Sequence, residues 1–380
     1  MSTSNKFTLD KFMYETQAGG YKNQLPISSV CNAKCIFCSN KMNPFPIYSG
    51  KFRSLADIRK GINLLDPNSA EIRLGDSLPG RISEGEALLH PDIIKIFELI
   101  REKAPASVIQ ITTNGVLLSK NFIDKIIPFK PLKFTIAYHS DNPENWCKIL
   151  NLGKKEYEIA HSAFLYLIKN KFIIEGALVP LPELLGYSDI ENTIRYFKLF
   201  TKKIIAWPPG YSFKAPVKIG NMLNTDYKEL SNFFIKMRKK YKMHIDFLGD
   251  PLRPVKFFPD EVMLNAFDLG FKNIVWLISE AAFKKAGSII NNYDPFVPNN
   301  NFPVCVKNYT YKGNINCAGL LMVQDFRKAL KKVVKKLKND NISIDLIILP
   351  AVAFDKYGND LTGENYFLLN DEFNIPVWVK

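Results

Sequence analysis

The chain has 380 residues, a formal net charge of +14, and a composition that is 47% hydrophobic and 13% aromatic. With 28 Phe and 16 Tyr it is too apolar for a disordered chain, and its length predicts two domains or at most three. Six cysteines over this length exclude a disulfide scaffold, and every long apolar run is broken by Lys, Asp or Glu short of a membrane span.

The opening Met1-Ser2-Thr3-Ser4-Asn5-Lys6 is too polar for a signal peptide, so a soluble, cytoplasmic protein without membrane segments is expected. The basic balance comes from abundant Lys beside abundant Ile and Asn. It keeps a nucleic-acid or other acidic partner open without requiring one.

Leu25 to Val30 reads as a first short strand, followed at once by Cys31, Cys35 and Cys38 in C-x3-C-x2-C spacing. Ile72 to Leu74 is a second β-like run, and Pro91 to Ile100 has helical apolar spacing. Val108 to Thr112, Leu132 to Ala137, Lys171 to Ile174 and Lys203 to Trp207 continue the series. Such alternation predicts a parallel sheet with helical crossovers, either a barrel or a doubly wound sheet, with chemistry at the carboxyl ends of the strands. Beyond residue 250 a long helical stretch is expected from about Asp260 to Lys285, then an Asn/Pro-rich linker from Asn291 to Asn301. A compact tail of strand, helix and strand ends in Val377-Trp378-Val379. The expected domains are residues 1–245, a connector and linker over 246–300, and a C-terminal α/β domain over 301–380, for substrate or cofactor binding.

The three clustered thiols carry the sharpest chemical signal. Three thiolates on one tight loop can hold three irons of a [4Fe–4S] cube and leave the fourth iron open to an exchangeable ligand. A zinc site or incidental buried cysteines are the competing readings, but no second paired ligand unit follows, as structural zinc requires.

This spacing resembles the radical S-adenosylmethionine (SAM) superfamily, including an aromatic residue, Phe37, just before the last cysteine. Ser83-Glu84-Gly85-Glu86-Ala87 is similar to that family's Gly-Gly-Glu-Pro motif, with Glu84 in place of a glycine and Ala87 in place of the proline. Thr112-Thr113-Asn114-Gly115 resembles its Thr-Asn-Gly turn. The resemblance covers residues 20 to about 240. It implies a partial (β/α)6 TIM-like barrel with a second, smaller C-terminal α/β domain. It further implies that Cys31, Cys35 and Cys38 bind a [4Fe–4S] cluster, and that SAM is cleaved reductively to a 5′-deoxyadenosyl radical that abstracts hydrogen. Cofactor contacts are expected at Phe37, Ser83, Glu84, Gly85, Glu86, Asn114 and Ser140, with Glu86 accepting from the SAM ammonium. Glu175, His139 and Tyr211 are the candidate catalytic residues near the barrel mouth. The implied partners are a peptide, protein or small-molecule substrate and a flavodoxin or ferredoxin as electron donor.

The tail around Gly319-Leu320-Leu321 and Ile347-Ile348-Leu349-Pro350 resembles an uncharacterised domain appended to some radical SAM proteins. One branch with such a tail uses cobalamin, which implies a cobalamin-dependent C-methyltransferase as an alternative. RNA modification and a non-catalytic iron–sulfur or zinc module are further alternatives. Cys147, Cys305 and Cys317 form no second cluster pattern and are expected to be buried small hydrophobes. The lysines from Lys328 to Lys338 alternate with Leu330, Val333, Val334 and Leu337 at helical spacing, the pattern of an amphipathic helix with a wet basic face.

Overall fold

In the computed structural model, residues 23–44, 51–75, 85–249, 259–291, 300–355 and 357–380 are described. The chain divides into two compact units, Met1–Arg253 and Pro254–Lys380.

The first unit is built on seven parallel strands paired in chain order: β1 (Gln24–Leu25), β2 (Glu71–Leu74), β3 (Val108–Thr113), β4 (Leu132–Ala137), β5 (Ile173–Leu178), β6 (Lys203–Ala206) and β7 (His244–Phe247). The helices between them are α1 (Ser39–Met42), α2 (Leu55–Asn63), α3 (Ile93–Lys103), α4 (Lys120–Ile126), α5 (Pro143–Leu150), α6 (Lys154–Lys169), α7 (Pro182–Phe197), α8 (Val217–Leu223) and α9 (Tyr227–Tyr241). This is the partial TIM-like barrel expected, with β7 as a strand beyond the six read from the sequence. Four residues of alternating burial behind an amphipathic helix gave no run long enough to register.

One face of the sheet is apolar. Ile72, Leu74, Ile109, Ile111, Phe134, Ile136 and Ile204 are buried in one continuous core with Phe97 of α3, Phe164 of α6 and Phe197 of α7. Gly176 is required on β5 because a Cβ there would stand 2.7 Å from the Phe197 ring. The opposite face is polar, with two connected groups. The Lys133 ammonium donates to Glu71, Arg73 pairs with Glu71 at 3.0 Å, and Lys203 pairs with Glu175 at 2.8 Å. One strand layer along, the Gln110 amide donates to Thr135 Oγ1 at 2.9 Å. Parallel strands alternate their side chains, so a single pattern of apolar and polar positions yields a helix-covered back and a hydrophilic front.

The second unit holds α10 (Asp260–Asp268), β8 (Asn273–Ser279), α11 (Glu280–Asn291), β9 (Asn300–Val306), α12 (Val323–Asn339), β10 (Leu346–Leu349), α13 (Phe367–Phe373) and β11 (Val377–Val379). Its four strands are parallel in the order β11-β10-β8-β9. One face packs Val275 and Leu277 on Phe326, Leu330 and Leu369. The other packs Ile274, Trp276 and Ile278 on Met263 and Ile290.

Two expectations are corrected here. The continuous helix over Asp260 to Lys285 is two helices with β8 between them, and β8 lies inside the sheet, so residues 259–291 belong to the folded unit and are not a connector. A strand buried on both faces is apolar without alternation, which periodicity cannot separate from a buried helix. Cys147, Cys305 and Cys317 form no disulfide among the described residues and are only partly buried. Helix α12 is amphipathic as read, burying Phe326, Ala329, Leu330, Val333 and Leu337.

Candidate active site

The cysteine loop is anchored on both flanks by backbone. On one side Gly85 N–H donates to Ser28 O at 3.2 Å and Glu86 N–H to Val30 O at 2.8 Å. A Cβ at position 85 would lie 2.0 Å from the Val30 carbonyl oxygen, so only glycine allows this approach. On the other side Lys34 N–H donates to Leu150 O at 2.9 Å and Ile36 N–H to Ile149 O at 3.0 Å, at the carboxyl end of α5.

Burial pushes the Cys31 thiol up to about 11, helped by the nearby Glu86 and Cys38, and it pushes the Cys35 thiol up to about 12, helped by Cys38 and Cys31. The loop therefore presents neighbouring thiols whose ionisation waits for a cation. Among the described residues no three His, Cys, Asp or Glu side chains are arranged around a single metal ion. Three thiols that each ligate a different iron of a cube need not converge on one point, so the donor set fits a cluster.

Glu86 is 3% exposed. Its Oε2 accepts from Asn114 N–H at 2.8 Å, and its Oε1 accepts from Leu88 N–H at a long 3.4 Å. Burial lifts the carboxyl to about 7 against the pull of these donors and of the Thr113 hydroxyl. Asn114 extends the network, since its Nδ2 donates to Asn32 Oδ1 of the cysteine loop at 2.7 Å and its Oδ1 accepts from Val116 N–H at 3.1 Å. One buried acid, its carboxyl raised by burial and lying beside Cys31, is suited to receive an ammonium group, whose charge would favour the ionised form. Ala87 is accommodated because the Cβ-less Gly75 faces it, a Cβ there standing 2.6 Å from Ala87 Cβ.

Phe37 meets His139 edge to face, with ring centroids 4.6 Å apart. His139 Nδ1 accepts from Val179 N–H at 3.0 Å, just past the end of β5, which leaves the ring proton on Nε2. Burial lowers this imidazole to about 3. It is a buried ring held between Phe37 and the Val179 backbone. The Ser140 hydroxyl donates to Asp189 Oδ1 at 2.9 Å, and Asn145 Nδ2 donates to the same oxygen at 2.8 Å. Asp189 Oδ2 is buried without a hydrogen-bond partner. Sequence reading missed Asp189, because α7 brings it 49 positions along the chain to Ser140 and no local pattern marks it.

Other expected residues fall elsewhere. The Glu175 carboxylate lies in the middle of β5 on the polar face, paired with Lys203 Nζ at 2.8 Å and 3.8 Å from Lys133 Nζ. Tyr211 packs its ring over Gly220 of α8, where a Cβ would stand 3.4 Å from the ring, so it serves packing at that point. Trp207 is exposed and does not join the core. Ser83 and Glu84 lie outside the described residues.

With this geometry in hand, residues 25–197, a little under half of the chain, match the family model of the Radical SAM superfamily, which supports the resemblance read from the motifs. The FeMo cofactor biosynthesis protein NifB of Methanocaldococcus infernus is 26% identical over 215 residues, 50% of this chain and 68% of NifB. Streptococcus suis SuiB bound to S-adenosylmethionine aligns with 10% identity and a TM-score of 0.45 over 74% of this chain and 57% of SuiB. Native anSMEcpe with bound AdoMet and Kp18Cys peptide aligns with 16% identity and a TM-score of 0.39 over 58% of this chain and 62% of that protein. The chain thus spans less than two thirds of either solved chain. The comparisons do not support cobalamin. Among the described residues no helix is long and apolar enough to cross a membrane.

Proposed function

We propose that this protein cleaves S-adenosylmethionine at a [4Fe–4S] cluster held by Cys31, Cys35 and Cys38, and abstracts hydrogen from a substrate resting on the polar face of the barrel sheet. The observation that carries this reading is the pair of backbone hydrogen bonds from Gly85 and Glu86 to Ser28 and Val30, which fastens a buried acid to the loop bearing the three thiols. When bound and reduced, cluster and SAM together supply a primary carbon radical able to attack an unactivated C–H bond.

The chain's own residues do the rest. Glu86 accepts from the ammonium and Asn114 fixes the spacing of acid and loop. Phe37 packs edge to face on the buried His139, and together they wall this side of the site. Asp189 is held by Ser140 and Asn145 with one oxygen left to accept from a hydroxyl.

The test is anaerobic reconstitution with iron and sulfide, then SAM and dithionite. The expected result is cluster-level iron and sulfide, and formation of 5′-deoxyadenosine. Replacing Cys31, Cys35 and Cys38 together with Ala should abolish both, and a triple variant that kept its iron and its deoxyadenosine would overturn the proposal.

A further inference from the structure

The polar face of the first sheet is almost fully paired within itself. Glu71 is shared by Arg73 and Lys133, Glu175 by Lys203 and Lys133, and the Gln110 amide nitrogen by Thr135 at 2.9 Å and Thr112 at 3.2 Å. Gln24 on β1 departs from this pattern. It is 1% exposed, and both its Oε1 and its Nε2 are buried without a hydrogen-bond partner. Its strand neighbour Leu25 packs in the apolar core, so alternation puts Gln24 on the polar face. Register confirms it, pairing Gln24 with Arg73 and Arg73 with Gln110. An amide buried with neither donor nor acceptor satisfied is costly to the free protein, and it is retained only where something pays that cost.

We infer that Gln24 is a substrate-binding residue, and that the part of the substrate lying against β1 carries a peptide bond or carboxamide. The Gln24 side chain offers one acceptor and one donor side by side in a plane, and the group that answers both is another amide. A nucleobase edge could also answer both, but its phosphates need cations, and on this face Arg73, Lys133 and Lys203 are already engaged by Glu71 and Glu175. Position adds a dimension. Gln24, one residue before the end of β1, is level with Gln110, and Asn114 of the active site lies four residues beyond Gln110, about 13 Å further along β3. The substrate is therefore extended, reaching down the sheet from the reacting end. The inference rests on the proposed function only in placing the substrate on this face.

The test uses the full-length reconstituted protein, with acetyl-Gly-Gly-Gly-amide as probe, its backbone-ester analogue and adenosine as comparators, and Gln24→Leu as the variant. The probe should bind the wild type, the ester analogue more weakly, and the variant about tenfold more weakly. The melting temperature of the free variant should equal or exceed that of the wild type, because the unpartnered amide is gone. A fall in that temperature would show Gln24 to be structural and overturn the inference. So would unchanged probe affinity in the variant, or binding of adenosine without the amide. Deoxyadenosine formation by the wild type is read separately, so failure of SAM cleavage and failure of amide binding stay distinguishable.

Discussion

Glu86 in the first unit and Asp325 in the second are both buried carboxylates, and both are raised by burial. They differ in how far the fold satisfies them. Asp325 Oδ1 accepts from Tyr309 N–H at 3.0 Å and Thr310 N–H at 3.1 Å, while Oδ2 accepts from the Thr310 hydroxyl at 2.9 Å and Met322 N–H at 3.0 Å. It closes the amino end of α12 and ties a loop to it. Glu86 has one short backbone donor and one long one, and it is lifted to about 7. A saturated buried acid is a fastener, and an under-satisfied one is a receptor.

Asp325→Ala should cause the largest change, about 4 kcal/mol of lost stability in the second unit, since several buried donors lose their acceptor. Denaturant unfolding of the full chain checks it. Glu86→Gln should do the opposite, holding stability at neutral pH within about 1 kcal/mol while SAM affinity falls about 100-fold. Calorimetric titration of SAM into the reconstituted protein decides between them, and the contrast fails if Glu86→Gln unfolds the protein.

Glu86 also predicts a pH dependence. Its folded pKa lies above its unfolded value, so the folded state binds more protons between them and stability falls as pH rises through that window. In the metal-free protein this should cost about 3 kcal/mol between pH 4.5 and the region above 7. Glu86→Gln should remove that slope, as followed by melting temperature against pH. His139→Leu should lose about 1–2 kcal/mol by stranding the Val179 N–H, again by denaturant unfolding. Glu175→Gln should have the smallest effect, under about 1 kcal/mol, with deoxyadenosine formation intact, because its partner Lys203 is partly exposed and an ion pair of this kind contributes little.

The readable parts of this fold share a property: their signal is local. The cysteine spacing, Glu86 beside Gly85, and the runs that became β3 and β4 all carry their evidence within a few residues. What escaped depends on distant partners. Asp189 is informative only beside Ser140, and Gln24 only beside the register of β2 and β3. β8 was hidden for the reverse reason, since burial on two faces erased the alternation that distinguishes a strand. Ser140 is expected at the cofactor from the resemblance alone, and its hydrogen bond to Asp189, 49 residues away, is visible only in the fold.

Gly85 leaves no room for a side chain against the Val30 carbonyl, and that crowding has a consequence for how the molecule tolerates change. A library randomised at residue 85 and selected for bound iron should return a single letter. Wherever a bulkier residue entered, the acid and the thiol loop would drift apart together, and metal uptake and SAM capture would vanish in the same clones.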